Sequence, residues 1–216
     1  MKSSNFILRG GNFNQASGRP TNSNFRLGFT SGELGIGLYS GTNYKVRAGF
    51  QYLRPGSFRF SITNLAITFG TLHPGEPISR TSNLTITNTS AYGYSVTAAE
   101  DHPMRVLSSG VDIPDTTCDS GTCTQVTPSA WTSLLTYGFG YRCDNISGSD
   151  CPSGFATSTF YRQFANLEGN ESPQYVMQGV NNGTKTVQIT YKVNISQTQA
   201  AGLYQNVIRY IATPSI

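Results

Sequence analysis

The chain of 216 residues is only 12% charged, with a net charge of +4, against roughly 25% charged in an average soluble protein. That length allows one sizeable β-domain with an arm, or two small domains. The wealth of Gly, Ser, Thr and Asn suits β-strands joined by turns and an exported surface, and no apolar run approaches the roughly 20 residues of a membrane-spanning helix.

The first 56 residues form an arm that repeats itself. Ser4-Asn5-Phe6-Ile7-Leu8 returns as Ser23-Asn24-Phe25-Arg26-Leu27 and again as Thr42-Asn43-Tyr44-Lys45-Val46, with a spacing of 19 residues. Alternation puts Phe6 with Leu8, Phe25 with Leu27 and Tyr44 with Val46 on one side of a predicted strand. The glycine-rich polar sequence after each copy reads as turn. Three strands with so few apolar residues enclose no core, so they are expected to lie on another surface. The arm carries seven basic residues against one acid, Glu33, for +6, while residues 57–216 carry −2. Its basic residues stand singly rather than in clusters, which argues against nucleic acid and for a neighbouring body of opposite charge. Residues 1–19 hold no continuous apolar stretch of the signal-peptide kind, so the expected export implies a signal outside this sequence.

Arg54-Pro55-Gly56 breaks the pattern, and residues 57–216 read as a β-sandwich. Phe58, Phe60 and Ile62, then Leu65, Ile67 and Phe69, predict one bent strand or two short ones. Leu84 and Ile86 predict the next strand, and Tyr92, Tyr94, Val96 and Ala98 another, joined by the turn Asn88-Thr89-Ser90. Residues 100–157 read as an irregular insertion holding all four cysteines and Trp131. Within it Leu134, Leu135, Tyr137, Phe139 and Tyr141 predict a strand. Residues 159–164 and 174–178 are weaker strands. Val187, Ile189, Tyr191, Val193 and Ile195 predict the strongest strand, and residues 203–212 the last.

The cysteines form two close pairs, Cys118-x4-Cys123 and Cys143-x7-Cys151. The second spacing is too long for a zinc knuckle, so two disulfides and an oxidising compartment are expected. Pairing within each close pair is favoured among the three connectivities that four cysteines permit.

Residue types that carry chemistry are sparse. His102 beside Asp101 and Glu100 lacks a nucleophile-elbow motif, and His73 lies in a Pro/Gly loop; both read as loop histidines. Asp112, Asp115, Asp119, Asp144 and Asp150 share the cysteine-rich region without any calcium-loop pattern, and read as solvated acids. Tyr137, Phe139 and Tyr141 could form a binding platform but read as core. No enzyme, metal or cofactor is expected. Six Asn-x-Ser/Thr sequons, at Asn83, Asn88, Asn145, Asn170, Asn182 and Asn194, permit glycosylation. Asn83 and Asn194 lie on polar strand faces, from which sugars would project outward.

Leu65-Ala66-Ile67-Thr68-Phe69-Gly70-Thr71-Leu72, Ser82-Asn83-Leu84-Thr85-Ile86, Gly93-Tyr94-Ser95-Val96-Thr97 and the segment Ala201-Gly202-Leu203-Tyr204 through Tyr210 carry a resemblance over residues 58–99 and 186–214. The body resembles exported prokaryotic surface β-sandwiches: WxL-type domains, camelysin-like biofilm fibre subunits and, more distantly, donor-strand pilins. Trp131 is followed by Thr132-Ser133-Leu134, without leucine two positions on, so the WxL attachment feature is not carried over. The resemblance implies an Ig-like, extracellular, non-catalytic domain that polymerises when one subunit lends a strand to the next.

The expectation is therefore an all-β protein: an arm at 1–56 and an Ig-like sandwich at 57–216, acting as a subunit of an extracellular, pilus-like filament. Asn5, Phe6, Ile7, Leu8 and Arg9 form the leading donor strand, with Phe25, Leu27, Tyr44 and Val46 as further inter-subunit positions. The partners are other copies of the chain, head to tail. The alternative is a monomeric cell-surface adhesion or carbohydrate-binding module whose loops come from residues 100–157.

Overall fold

The computed structural model describes residues 16–18, 29–31, 37–41, 45–48, 57–89, 93–155, 157–180 and 182–215. The chain divides into two units, Met1–Pro55 and Gly56–Ile216. In the first unit, β1 (Ala16–Gly18) pairs antiparallel with β2 (Phe29–Ser31), and β3 (Gly37–Ser40) with β4 (Lys45–Ala48). β1, β2 and β3 lie in stretches that the sequence marks as turn. Short antiparallel ladders are held by backbone hydrogen bonds, which glycine and serine make as well as any residue. Of the proposed inter-subunit positions, Val46 lies in β4, opposite Tyr39. Asn5, Phe6, Ile7, Leu8, Arg9, Phe25, Leu27 and Tyr44 lie outside the described residues.

The second unit is all-β, a sandwich of two antiparallel sheets. Its strands are β5 (Phe58–Ile62), β6 (Ile78–Asn88), β7 (Tyr94–Glu100), β8 (Met104–Val106), β9 (Val111–Ile113), β10 (Ser129–Ala130), β11 (Gly138–Ser147), β12 (Phe160–Tyr161), β13 (Gln174–Gly179), β14 (Gly183–Asn194) and β15 (Ile208–Pro214). One sheet has the order β11-β14-β6-β5 and the other β13-β7-β15. Alternation fills the space between them. Leu84 and Ile86 of β6, Val187, Ile189 and Val193 of β14, and Val96 of β7 are fully buried. The polar residues between them face outward and pair across strands, as in Thr85–Thr186 and Thr87–Thr184, both at 3.0 Å. At the centre Phe164 stacks on Tyr141, with ring centroids 4.1 Å apart.

Several strand boundaries differ from the sequence reading, among them the strand expected at 159–164, which is only Phe160–Tyr161. The strand of Phe58, Phe60 and Ile62 ends there, and Leu65 is exposed. Ile67 and Phe69 still pack on the core, but from a loop that Arg80 ties down by donating to Thr68 O at 3.0 Å and Phe69 O at 3.3 Å. β11 starts only at Gly138, whose φ of +125° and approach to the Thr116 backbone exclude a side chain. Leu134, Leu135 and Tyr137 before it are exposed loop residues, while Phe139 and Tyr141 are core. β11 also belongs to the main sheet, so residues 100–157 are less irregular than expected. The last strand starts at Ile208, with Leu203 and Val207 exposed ahead of it.

Both disulfides form within the close pairs, Cys118–Cys123 and Cys143–Cys151, with Cα–Cα distances of 5.6 and 5.7 Å. Cys118 and Cys123 join Trp131 and Tyr161 in a second small core. This segment lies over the polar face of β14. Lys192 donates to Trp131 O at 2.8 Å, with its ammonium 4.5 Å from the Trp131 ring centroid. Asn194 donates to Leu134 O and Thr136 O. Asn194 is therefore buried, not projecting outward, and so is Asn88, whose amide donates to Gly93 O. Neither can carry a sugar in the folded chain. Asn145, Asn170 and Asn182 are exposed and Asn83 is half-buried, with its Oδ1 3.4 Å from Gln188 Nε2.

Candidate strand-binding groove

The sandwich is not closed all round. Leu84 and Ile86 of β6, Val187, Ile189, Tyr191 and Val193 of β14 and Tyr94, Val96 and Ala98 of β7 are buried, but the inward rows of β5 (Phe58, Phe60, Ile62) and β15 (Ile208, Tyr210, Ala212) are only half-buried. Both strands are sheet edges, and Ile62 of β5 lines one groove together with Ile208 and Tyr210 of β15. This groove of about 980 Å³ opens at one end of these two strands, and most of its lining comes from the segments next to them. One wall is the 62–72 segment with Ile67 and Phe69, and the other is the 199–210 segment with Leu203 and Ile208. Phe139 and Tyr191 also line it. Tyr191 and Tyr210 bridge the two sheets through their hydroxyls at 2.8 Å, and burial pushes both phenols up. Within the lining, Gln199 donates to Tyr204 Oη at 2.7 Å and to Asp112 O at 3.0 Å. The lining is mostly apolar, with Asn64, Thr68, Thr71, Gln199, Gln205 and Asn206 among the apolar side chains, a mixture that suits another strand.

A second group of buried side chains sits where β7 ends. Glu100 is fully buried; Asn206 donates to its Oε2 at 2.7 Å. Its other oxygen and Asp115 Oδ1 have only each other's carboxyl to meet. Burial pushes Glu100 up to about 11, with Asp115 adding to the rise, and Asp115 itself goes up to about 6 by burial. Glu100 thus holds a proton and donates it toward Asp115. Sequence reading missed this pair, since 15 positions and a loop separate the two residues.

The other acids of the cysteine-rich region go to separate partners. Asp112 makes a bidentate pair with Arg105, Nε–Oδ1 2.6 Å and Nη2–Oδ2 2.9 Å. Asp144 pairs with Arg142. Asp119 accepts from Thr132 N at 2.7 Å and from the Thr132 and Thr136 hydroxyls, hydrogen bonds that hold its carboxyl below the usual range. Asp150 faces the Tyr94 hydroxyl, whose pKa is raised by burial and then by that carboxylate. They do not converge, and no group of three or more His, Cys, Asp or Glu is placed to hold a metal ion among the described residues. His102 Nδ1 lies 2.7 Å from Pro103 O, and its Nε2 3.5 Å from Asp101. His73 forms a bridge with Glu76 in its loop. Of Tyr137, Phe139 and Tyr141, only Tyr137 reaches the surface, so the three form no platform.

No protein-family model, curated protein or solved structure matches the chain. No helix among the described residues is long and apolar enough to cross a membrane.

Proposed function

We propose that the chain is a non-catalytic structural subunit of an extracellular filament, built when the arm of one subunit adds a β-strand to the Ig-like sandwich of the next. The observation that carries this reading is a sandwich left open along one side, in a chain whose arm repeats an alternating apolar strand pattern. Two disulfides are compatible with an oxidising, extracellular setting. A strand lent head to tail forms a contact that does not close on itself, and so propagates. The arm at +6 and the body at −2 attract each other.

One observation favours a second reading, a cell-surface adhesion or glycan-binding module that works as a monomer. Leu134, Leu135 and Tyr137 are exposed together on the loop before β11, where a ligand could be gripped. Size-exclusion chromatography with light scattering, followed by negative-stain microscopy, separates the two. Polymers and filaments support the first reading; a monodisperse monomer at all concentrations supports the second.

A further inference from the structure

The four edge strands of the sandwich are not equivalent. The outer edge of β11 is already paired: Thr116 N donates to Phe139 O at 2.8 Å, Phe139 N to Pro114 O at 2.9 Å, and Tyr141 exchanges two bonds with Arg162, both at 2.9 Å. The outer edge of β13 is met by Asp150, whose carbonyl accepts from Gln178 N at 2.8 Å, and by the Arg162 guanidinium on Tyr175 O. Among the described residues, β5 and β15 have no strand on their outer sides, and the groove is lined by Ile62 at the end of β5 and by Ile208 and Tyr210 of β15. Pro214, which has no N–H to give a ladder, closes β15, as expected of an edge strand.

We infer that this groove accepts residues 5–9 of a second copy of the chain, laid along β15 with Phe6 and Leu8 turned into the core. This rests on the strand-donation reading above and names its acceptor. The size fits one strand. Five residues span ~17 Å, and at ~4.8 Å between strands and ~10 Å between packed sheets they fill about 800 Å³, against about 980 Å³ in the groove. The half-buried rows of β5 and β15 lack a partner with apolar residues at every second position, which Phe6 and Leu8 supply. Asn5, Ile7 and Arg9 then face outward.

The choice among the three repeats follows from position. The second copy lies between the paired β1 and β2, and the third runs into β4, whereas the first precedes every described ladder of the arm. The choice of a second copy over the chain's own arm follows from the rim. Leu65, Leu203 and Val207 are exposed beside the groove. A lone inserted strand leaves such residues in water, while an adjoining second body covers them.

The test uses the full chain. An unlabelled Phe6→p-benzoylphenylalanine variant is mixed with ¹⁵N-labelled native chain, irradiated and digested with trypsin. Light arm peptide joined to heavy peptide 60–80 or 193–209, which hold the two groove walls, is the expected product. Heavy acceptors on β11 or β13 instead would overturn the groove assignment and leave strand donation standing. Products within light chains alone, or no products, would overturn both. Leu65→Arg with Leu203→Arg changes two exposed side chains at the rim, and loss of the light–heavy products is expected. Undiminished yield in that variant also counts against the groove.

Discussion

Glu100 is a fully buried carboxyl, and the group facing it is another carboxyl. Its proton is held more tightly folded than unfolded, so the folded chain binds more protons between the ordinary value of 4.5 and about 11. Stability from this group is complete below 4.5 and is lost as the pH rises through that window, by up to about 1.4 kcal/mol per pH unit. Asp115, raised to about 6, acts in the same direction over a narrower range. Unfolding by urea at pH 5, 7 and 9 is expected to show the body weakening with pH. Glu100→Gln keeps a donor toward Asp115 without an ionisable proton and is expected to flatten the slope. An unchanged slope would mean that the pair does not govern the titration. Arg162 is the other residue on which many bonds converge: Tyr141 Oη at 2.7 Å, Val126 O at 3.3 Å and Tyr175 O. Arg162→Met removes the donor to the buried Tyr141 hydroxyl and to two part-buried carbonyls, and is expected to cost about 3 kcal/mol, read from the urea midpoint.

Among the elements, the disulfide-tied segment should behave as a cover that can be loosened without melting the sandwich. Cys118→Ala with Cys123→Ala removes a short closed loop, for which chain entropy gives about 2 kcal/mol. Because Trp131 packs edge-on to Tyr161 with centroids 5.6 Å apart beside these cysteines, its fluorescence is expected to shift to the red while the far-ultraviolet strand signal persists. Simultaneous loss of both signals would show one cooperative unit instead. The contrast between segments also explains what could be read in advance. The β14 row Val187, Ile189, Tyr191 and Val193 faces one core at period two, and that period is visible in sequence. Lys192 and Asn194 sit at the polar positions of the same strand, and local alternation assigns them to solvent. They are buried by Trp131, Leu134 and Thr136, which arrive from about 60 residues earlier. The disulfide partners were legible from spacing. The β11 boundary was not, because the run Leu134 to Tyr141 looks continuous until Gly138 turns the chain. The open groove is a property of sheet order, which no local pattern contains.

At the scale of the whole molecule, the proposed strand donation would join an unfinished apolar seam on one copy to the alternating apolar pattern of residues 5–9 on another. Burial of Phe6 and Leu8 is worth ~1.5–3 kcal/mol each. Phe6→Asp with Leu8→Asp should therefore raise the concentration needed for assembly roughly a hundredfold or more. These substitutions lie outside Gly56–Ile216, so the sandwich's own stability is expected to stay as it was. The most direct measurement is pelleting by ultracentrifugation, with negative-stain micrographs of the pellets, for the native full chain and this double variant at equal concentration. Filaments in the native pellet and soluble, folded variant in the supernatant are expected. A native chain that stays monomeric, or a variant that assembles as well as the native chain, would contradict strand donation.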